Sequence, residues 1–339
     1  MNNTLCSIII PYYNVPEELV NKCLSSIINQ NWGETLYEVI FINDGSIIPI
    51  SETTKQLFAK ISHFTLIEQK NQGLSSARNV GIRVSKGKYI FFMDPDDYWF
   101  DFSVDQLFPF LNYKKYDIVK YLSQHIFNPT SHTHTPKVST KVMSFNSGCE
   151  YLAENNIIKG ACTYCFRRDF LIQANIYMPN GIIHEDEYFL TQAFFFAKEI
   201  VLTNIPLYAY IKRDGSITSI KTPQQWHKSL NDFFQTLKLT ADYKDLPQNT
   251  ITHEQALNNR MSYLICDYIF NIFNSTLSKC DKQKHLLCLQ EIGYYPLPTL
   301  SNNLKYNLLK LFSLSYSTML VWAKTISFIN KLRPQNQNY

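Results

Sequence analysis

The sequence lacks long runs of lysine or arginine, internal repeats and low-complexity tracts. Its net charge is only +4 over 339 residues, so bulk binding of nucleic acid through a basic surface is not expected. With 45% hydrophobic and 18% charged residues, the composition also excludes a mostly disordered chain. Length and composition therefore predict a globular protein of one or two domains.

Secretory and zinc-binding signals are scarce as well. The opening residues, MNNTLCSIIIPYYN, have neither the charged leader nor the cleavage site of a signal peptide, so we expect a cytoplasmic protein with reduced cysteines. Cys162 and Cys165 form one CxxC pair, but zinc needs four ligands and no second pair lies at a suitable spacing. They are interpreted as core cysteines. His132 and His134 lie in a polar SHTHT stretch, which favours a solvated loop over a metal site.

No apolar run is long enough to predict a membrane span. The segment from Leu304 to Lys331 comes closest, but polar residues interrupt it. Apolar side chains are mixed there with lysines, namely Lys305, Lys310, Lys324 and Lys331. Two interpretations are open: an amphipathic helix on an anionic membrane surface, or a helix packed onto the rest of the protein.

The first hundred residues alternate β-prone apolar runs with helical patterns. The predicted strands are Ser7–Ile10, Tyr37–Ile42, Phe64–Glu68 and Tyr89–Met93. The predicted helices begin at Pro16, run from about Glu52 to Ile61, and run from about Leu74 to Ser85. Strands and helices in regular alternation indicate a parallel sheet with helical crossovers. Residues from about 102 to 205 have a mixed pattern, and those from about 225 onward have a helical one.

Polar clusters follow three of these strands: PYYN, NDGS and DPDD. Ligands of such sheets bind beyond the carboxyl ends of the strands, so we expect the clusters to share one edge. Asp94, Asp96 and Asp97 place three carboxylates in four positions, which repel one another unless a cation is present. Hard oxygen ligands select Mg²⁺ or Mn²⁺, and such an ion can bridge both phosphates of a nucleoside diphosphate. A solvated acidic turn is the alternative.

Asp44 and Arg78 are further charged candidates. Asp44 ends a predicted strand, where its carboxylate can accept hydrogen bonds from a base or ribose while Gly45 permits a tight turn. An NDG sequence on its own is usually a turn. Arg78 lies near a predicted helix start in NQGLSSARNVG, and its cation would suit a diphosphate or orient an acidic residue. A tightly packed helix start is the other possibility.

The motifs PYYN, NDGS, NQGLSSARNVGI and YIFFMDPDDY, in this order, resemble the family 2 glycosyltransferases with the GT-A fold. The resemblance covers about the first 100 residues. It implies an α/β domain with a mostly parallel sheet and flanking helices, and a reaction that inverts the anomeric centre. It also implies that Asp44 holds the uracil or ribose, with Tyr13 near the base, and that Asp94 and Asp96 form a DxD motif for Mn²⁺ or Mg²⁺. The donor-binding residues that it implies in these motifs are Pro11, Tyr13, Asn14, Asp44, Gln72, Arg78 and Asp94.

Two later segments extend the resemblance. GIIHEDEYF, which contains Glu185 and Asp186, resembles the acidic ED motif of the family, whose second acid most often is the catalytic base. We therefore expect Asp186 to be the base and Glu185 to orient its neighbours. Without the upstream motifs, the same acids would suit a helix start. YAYIKRDGSI resembles a segment in which a cation approaches the leaving diphosphate, which implies this role for Arg213, with Lys212 as the alternative.

We predict a GT-A catalytic domain over residues 1–220 and a mainly helical region over 221–339 that contacts the acceptor or the membrane. The predicted reaction moves a sugar from a nucleoside diphosphate sugar, most commonly a UDP-sugar in this family, to an acceptor hydroxyl. Family analogy makes the acceptor a lipid-linked glycan in surface polysaccharide synthesis. The protein is then expected in the cytoplasm, either free or peripheral on the inner face of the cytoplasmic membrane.

Two alternatives belong to other functional classes. A nucleotidyltransferase would carry a Gly-rich triphosphate loop with Lys or Arg after its first strand, where this chain has PYYN. A non-catalytic sugar-nucleotide-binding protein would be expected to lose its metal ligands or its base, whereas Asp94, Asp96, Glu185 and Asp186 are all present.

Overall fold

The computed structural model describes residues 4–30, 32, 37–101, 103–112, 115–126, 141–155, 157–212, 222–247, 249–300, 304–313 and 315–332. The described strands form one sheet: β1 (Cys6–Tyr12), β2 (Tyr37–Asp44), β3 (Phe64–Gln69), β4 (Tyr89–Phe92), β5 (Tyr98–Trp99), β6 (Ile118–Ile126), β7 (Val142–Phe145), β8 (Tyr164–Arg167) and β9 (Ile200–Ile211). His132 and His134 lie outside the described residues, as does the boundary predicted at residue 220.

The strand order is β3-β2-β1-β4-β8-β6-β9-β5, with β7 paired to β9. The first four strands in this order are parallel, as the sequence predicts. Strand β8 runs antiparallel to both β4 and β6, and β5 and β7 run antiparallel to β9, whereas β6 and β9 are parallel. The sheet is therefore mixed but mostly parallel, which confirms the predicted fold class.

The described helices are α1 (Glu17–Ile28), α2 (Glu52–Phe58), α3 (Leu74–Val84), α4 (Phe108–Asn112), α5 (Gly148–Glu154), α6 (Arg168–Gln173), α7 (Glu185–Phe196), α8 (Pro223–Ala241), α9 (Ile251–Asn274), α10 (Lys279–Glu291), α11 (Leu304–Phe312) and α12 (Tyr316–Leu332). Helix α2 is shorter than predicted, because the amides of Lys60 and Ile61 bond three residues back, to Leu57 and Phe58, and so tighten the last turn.

Two buried clusters cover the two faces of the sheet. Alternate residues of a strand point to opposite faces, so Ile8 and Phe41 join one cluster while Ile9 and Phe92 join the other. The second cluster continues into α8, α9, α11 and α12. The C-terminal helices therefore pack on the same side of the sheet as α7, and α8 and α9 contact α7 directly. Within the described residues, none of the helices is both long and apolar enough to cross a membrane.

Candidate active site

Asn14, two residues beyond the end of β1, stabilises the turn after β2. Its Oδ1 accepts hydrogen bonds from Ser46 Oγ at 3.0 Å and from Ile47 N at 2.9 Å, and its backbone N–H donates to Ser46 Oγ at 2.9 Å. Its backbone is left-handed, with φ of 52°, a conformation that asparagine tolerates better than most residues. PYYN and NDGS therefore form one hydrogen-bonded surface at the carboxyl ends of β1 and β2.

Asp44 ends β2 and is almost fully buried. Its Oδ1 accepts from the backbone N–H of Gln72 at 2.9 Å and from Gln69 Nε2 at 2.7 Å, while its Oδ2 accepts from Gly73 N at 2.8 Å. These bonds anchor the segment that leads into α3. The turn beyond Asp44 requires glycine, because Gly45 has φ of 73° and a Cβ there would lie 2.6 Å from Asn71 N.

Three predicted donor-binding residues differ in their access to solvent. Tyr13 is 49% exposed, and Gln72 is also exposed. Pro11 is buried within β1, where it pairs with Ile42 of β2. Tyr13 and Gln72 thus present side chains on the outer surface of this edge, whereas Pro11 shapes the end of the strand.

Arg78 is the charged centre of the site. It lies on the first turns of α3 and is buried, with a side chain that is 3% exposed. Its Nη2 donates to Asp94 Oδ1 at 2.6 Å, and its Nη1 donates to Asp186 Oδ1 at 3.0 Å and to Glu185 Oε1 at 3.3 Å. Burial alone would lower the pKa of Arg78, but the charges of Asp94, Asp186 and Glu185 outweigh it and raise this pKa. One guanidinium therefore joins the DPDD turn to the ED motif.

The ED motif forms the first turn of α7, so these acids do lie at a helix start. The same two acids also contact Arg78. Asp186 is fixed by a second donor, the backbone N–H of Ala161, at 3.1 Å from its Oδ2. His184 precedes the helix in a left-handed conformation, and its Nε2 lies 2.9 Å from Ser229 Oγ of α8. Glu185 has its pKa raised to about 7 by burial first and by the neighbouring charge of Asp186 second, which Arg78 only partly offsets.

The three aspartates of the DPDD turn differ in their exposure to solvent. Asp94 and Asp96 are half-buried, whereas Asp97 is buried and turned inward. Asp97 Oδ2 accepts from the hydroxyl of Tyr208 at 2.6 Å, and Asp97 Oδ1 accepts from Ile211 N at 2.8 Å. Burial and the charge of Asp94 raise the pKa of Asp97 to about 8, although both hydrogen bonds oppose this. Asp94 and Asp96 are thus the two acids of this turn that remain accessible to a ligand.

The chemistry of Asp94 and Asp96 fits a cation that is bound together with a diphosphate. Among the described residues, no three His, Cys, Asp or Glu side chains form a metal site by themselves. Mg²⁺ is commonly held by one or two carboxylates, with substrate phosphates and water completing the shell. Two accessible carboxylates at the end of β4 match that pattern.

Some residues of the site are not predicted by any sequence motif. Met178 approaches Arg78, with its sulfur 3.8 Å from Nη1, and its backbone exchanges two hydrogen bonds with the Asn79 side chain. Ala161 contributes only a backbone N–H.

Arg213 lies outside the described residues, and its predicted role remains a prediction. Lys212 is described, and its amide donates to Ile126 O at 3.0 Å.

Comparison with known proteins identifies the class of this chain. Residues 7–177 match the family model described as glycosyl transferase family 2, and the chain belongs to this family. It is a glycosyltransferase. The matched segment contains Asp44, Arg78 and Asp94, while the ED motif lies beyond it.

Individual relatives agree with this assignment. The chain is 30% identical over 257 residues to the uncharacterized glycosyltransferase YibD of Escherichia coli, covering 74% of this chain and 73% of that protein. It is 28% identical over 247 residues to a poly(ribitol-phosphate) beta-glucosyltransferase of Bacillus spizizenii, covering 68% of this chain but only 36% of that protein.

A solved structure shows the same fold. The structure of S. aureus TarS residues 1–349 in complex with UDP-GlcNAc superposes with a TM-score of 0.74, over 97% of this chain and 92% of that chain, at 18% sequence identity. The GT-A fold is therefore shared along almost the whole length of both chains, including the C-terminal helices.

Proposed function

We propose that this protein transfers a sugar, with inversion, from a nucleoside diphosphate sugar to an acceptor hydroxyl. The observation that carries the proposal is the contact of Arg78 with Asp94 on one side and with Asp186 and Glu185 on the other. Asp94, which suits a cation with a diphosphate, thus lies on one side of the Arg78 guanidinium. The two acids that suit an acceptor proton, Asp186 and Glu185, lie on the other side. A sugar between them would have its leaving group at one end and its attacking hydroxyl at the other.

On the donor side, the exposed Tyr13 is proposed to contact the base, and Asp44 to hold the uracil or ribose. The two oxygens of Asp44 already accept three hydrogen bonds from the segment before α3. A carboxylate has about four acceptor positions, so one more donor from a nucleoside can be accommodated. A UDP-sugar is the donor that we favour, because the related fold of TarS was solved with UDP-GlcNAc.

Asp94 and Asp96 would hold Mn²⁺ or Mg²⁺ together with the diphosphate. The cation would supply charge neutralisation for the departing nucleoside diphosphate. Arg78 contacts Asp94 through Oδ1, at 2.6 Å, so the cation would bind Asp94 through Oδ2. Arg213 is proposed to add a second positive charge near the leaving group.

Asp186 is proposed to remove the acceptor proton. The acceptor oxygen forms a bond to the anomeric carbon as the bond from that carbon to the diphosphate breaks, and the proton passes to the Asp186 carboxylate. Attack from the side opposite the leaving group inverts the anomeric centre. Asp186 is 28% exposed, against 14% for Glu185, so it is the more accessible of the two acids. Arg78 and Ala161 N hold it in one orientation.

A lipid-linked glycan of surface polysaccharide synthesis is the proposed acceptor class. The Bacillus spizizenii relative is named as a poly(ribitol-phosphate) beta-glucosyltransferase, which supports a polymeric acceptor. We propose residues 1–220 as the catalytic domain and residues 221–339 as the region that contacts the acceptor or the membrane.

Helix α11 supports a peripheral position on the cytoplasmic membrane surface. It buries Tyr306 and Leu309 on one face and exposes Leu304, Leu308 and Leu311 on another. These three leucines recur at the spacing of one helical stripe. Residues 304–332 contain four lysines and no acidic residue, so the stripe is flanked by charge that is attracted to anionic lipid headgroups.

A donor screen tests the proposed activity. Purified protein is incubated with single nucleotide sugars and Mn²⁺, and released nucleoside diphosphate is measured with and without glycan acceptors. We expect one donor to release nucleoside diphosphate in an acceptor-stimulated manner. Release of pyrophosphate from a nucleoside triphosphate and a sugar phosphate would instead identify a nucleotidyltransferase. Donor binding without turnover under any acceptor would favour a non-catalytic sugar-nucleotide-binding protein.

A further inference from the structure

Asp97 forms an uncommon buried arrangement directly behind the two accessible aspartates. Its carboxylate is 2% exposed and is bound by the phenol of Tyr208 and the backbone N–H of Ile211. Both of these partners are neutral. Burying a titratable carboxyl group among neutral partners is expensive, whether its charge is desolvated or its proton is retained, so packing alone would favour an apolar residue here. Positions that break such a rule are often functional.

The hydroxyl of Tyr208 joins both ends of the DPDD turn. It donates to Asp97 Oδ2 at 2.6 Å and accepts from the backbone N–H of Asp94 at 3.2 Å. The turn itself is closed by Asp97 N, which donates to Asp94 O at 3.1 Å. Asp94, the partner of Arg78, is therefore held through its backbone by a hydroxyl that is in turn held by Asp97.

The same pair also ties the turn to the end of β9. Tyr208 and Ile211 are residues of β9, and β5, which follows the turn immediately, pairs with β9 through Trp99 opposite Tyr208. Asp97 thus forms two hydrogen bonds with β9, one with the side chain of Tyr208 and one with the backbone N–H of Ile211. A shift of the turn along the sheet edge would break both bonds together.

We propose that Asp97 and Tyr208 are positioning residues that hold the backbone of the DPDD turn so that Asp94 and Asp96 present their carboxylates together to a cation–diphosphate. This inference rests on the proposed function, since it concerns the cation that Asp94 and Asp96 would bind. A purely structural role predicts that removal of the Tyr208 hydroxyl lowers the stability of the protein and leaves its affinity for the cation unchanged. The proposed role predicts that this affinity falls in the folded variant.

The test compares Tyr208→Phe with Tyr89→Phe. Tyr89 is equally buried and lies at the opposite end of β4, where its hydroxyl donates to Tyr116 O at 3.0 Å. Both substitutions delete one buried hydroxyl; Tyr208→Phe also leaves the buried Asp97 carboxyl group without this donor, so its loss in thermal stability should be the larger of the two. Binding of Mn²⁺ in the presence of UDP is measured by the electron paramagnetic resonance signal of free Mn²⁺, which requires no turnover.

We expect Tyr208→Phe to weaken Mn²⁺ binding about 10-fold or more, the usual cost of losing a residue that supports a metal ligand, and Tyr89→Phe to leave it within about twofold. Asp97→Asn should weaken binding too, because Tyr208 and Ile211 donate to different oxygens of Asp97 and an amide replaces one of these acceptors by an NH2 donor; it provides a second measurement if Tyr208→Phe folds poorly. Wild-type affinity in folded Tyr208→Phe or in folded Asp97→Asn would overturn the inference while leaving the proposed function intact. Absence of Mn²⁺–UDP binding in the wild-type protein would overturn both.

Discussion

Arg78 Nη2 and Asp94 Oδ1 lie 2.6 Å apart, and the other nitrogen of the same guanidinium lies 3.0 Å from Asp186. The two acids are 92 positions apart in the chain, on a turn after β4 and on the first turn of α7. Arg78 is therefore both a structural link between two parts of the site and the positive charge that allows three carboxylates to approach one another.

Loss of the Arg78 charge should destabilise the protein. Arg78→Met would leave Asp94, Glu185 and Asp186 facing one another without a counter-charge, at a cost of about 3–5 kcal/mol, as for a broken buried ion pair. Arg78→Lys should cost less, because it keeps the charge but not the two separate nitrogens. Urea unfolding of the three proteins measures these differences. An unfolding free energy of Arg78→Met equal to that of wild type would show that the cluster contributes no stability.

Donor binding and turnover should require a divalent cation. Without one, Asp94 and Asp96 would confront the diphosphate with like charge. We expect EDTA to stop turnover, Mn²⁺ to restore it, and Asp96→Asn to remove most activity. Glu52→Gln, a substitution at an exposed position on α2, is the control for charge loss alone. Full turnover in EDTA, or in folded Asp96→Asn, would exclude the proposed cation site.

The two acids of the ED motif should differ in kinetics. Asp186→Asn should slow transfer about 10²–10⁴-fold while leaving donor affinity nearly unchanged, because a positioned base acts on the acceptor hydroxyl and not on the nucleotide. Glu185→Gln should slow transfer less. Donor affinity and transfer rate are measured side by side in both variants. A dead Glu185→Gln enzyme together with an active Asp186→Asn enzyme would reverse the assignment, and two active enzymes would leave the motif as a helix start only.

Glu185 should make stability depend on pH. Its folded-state pKa of about 7 lies above the ordinary value of 4.5, so folding favours the protonated form. The corresponding stability is present below the ordinary pKa and is lost as the pH rises through about 7. Glu185→Gln should therefore be more stable than wild type at pH 8, by up to about 3 kcal/mol, with a smaller difference at pH 5. Urea unfolding at both pH values measures it, and a difference that does not grow with pH would contradict the shift.

The exposed stripe of α11 should bind anionic membranes. Leu304, Leu308 and Leu311 replaced together by Gln should reduce sedimentation with vesicles that contain anionic lipid, because the apolar contact area is lost while the lysines remain. Donor hydrolysis should persist. Ile251 and Leu287 are exposed apolar residues on α9 and α10, and their replacement by Gln is the matched control. Equal sedimentation of the two variants would remove α11 from the membrane contact.

The strands and helices of the first hundred residues could be predicted from local patterns. Apolar runs at the strands and helical spacing between them specify which residues are buried, and parallel pairing then brings PYYN, NDGS and DPDD to one edge, as found. The family motifs pointed to the same residues. The end of α2 was less predictable, because the tightening of its last turn depends on a few backbone hydrogen bonds.

The grouping of the site acids was decided by tertiary structure. Arg78 was expected to meet either a diphosphate or an acid, and only the packing of α7 against the sheet selects Glu185 and Asp186, more than a hundred residues away. Likewise, Asp94, Asp96 and Asp97 form one acidic cluster in the sequence, yet Asp97 turns inward to Tyr208. Local sequence specifies residue type and backbone tendency. Which side chains meet depends on the register and packing of distant elements, because hydrogen bonds form only within about 3 Å.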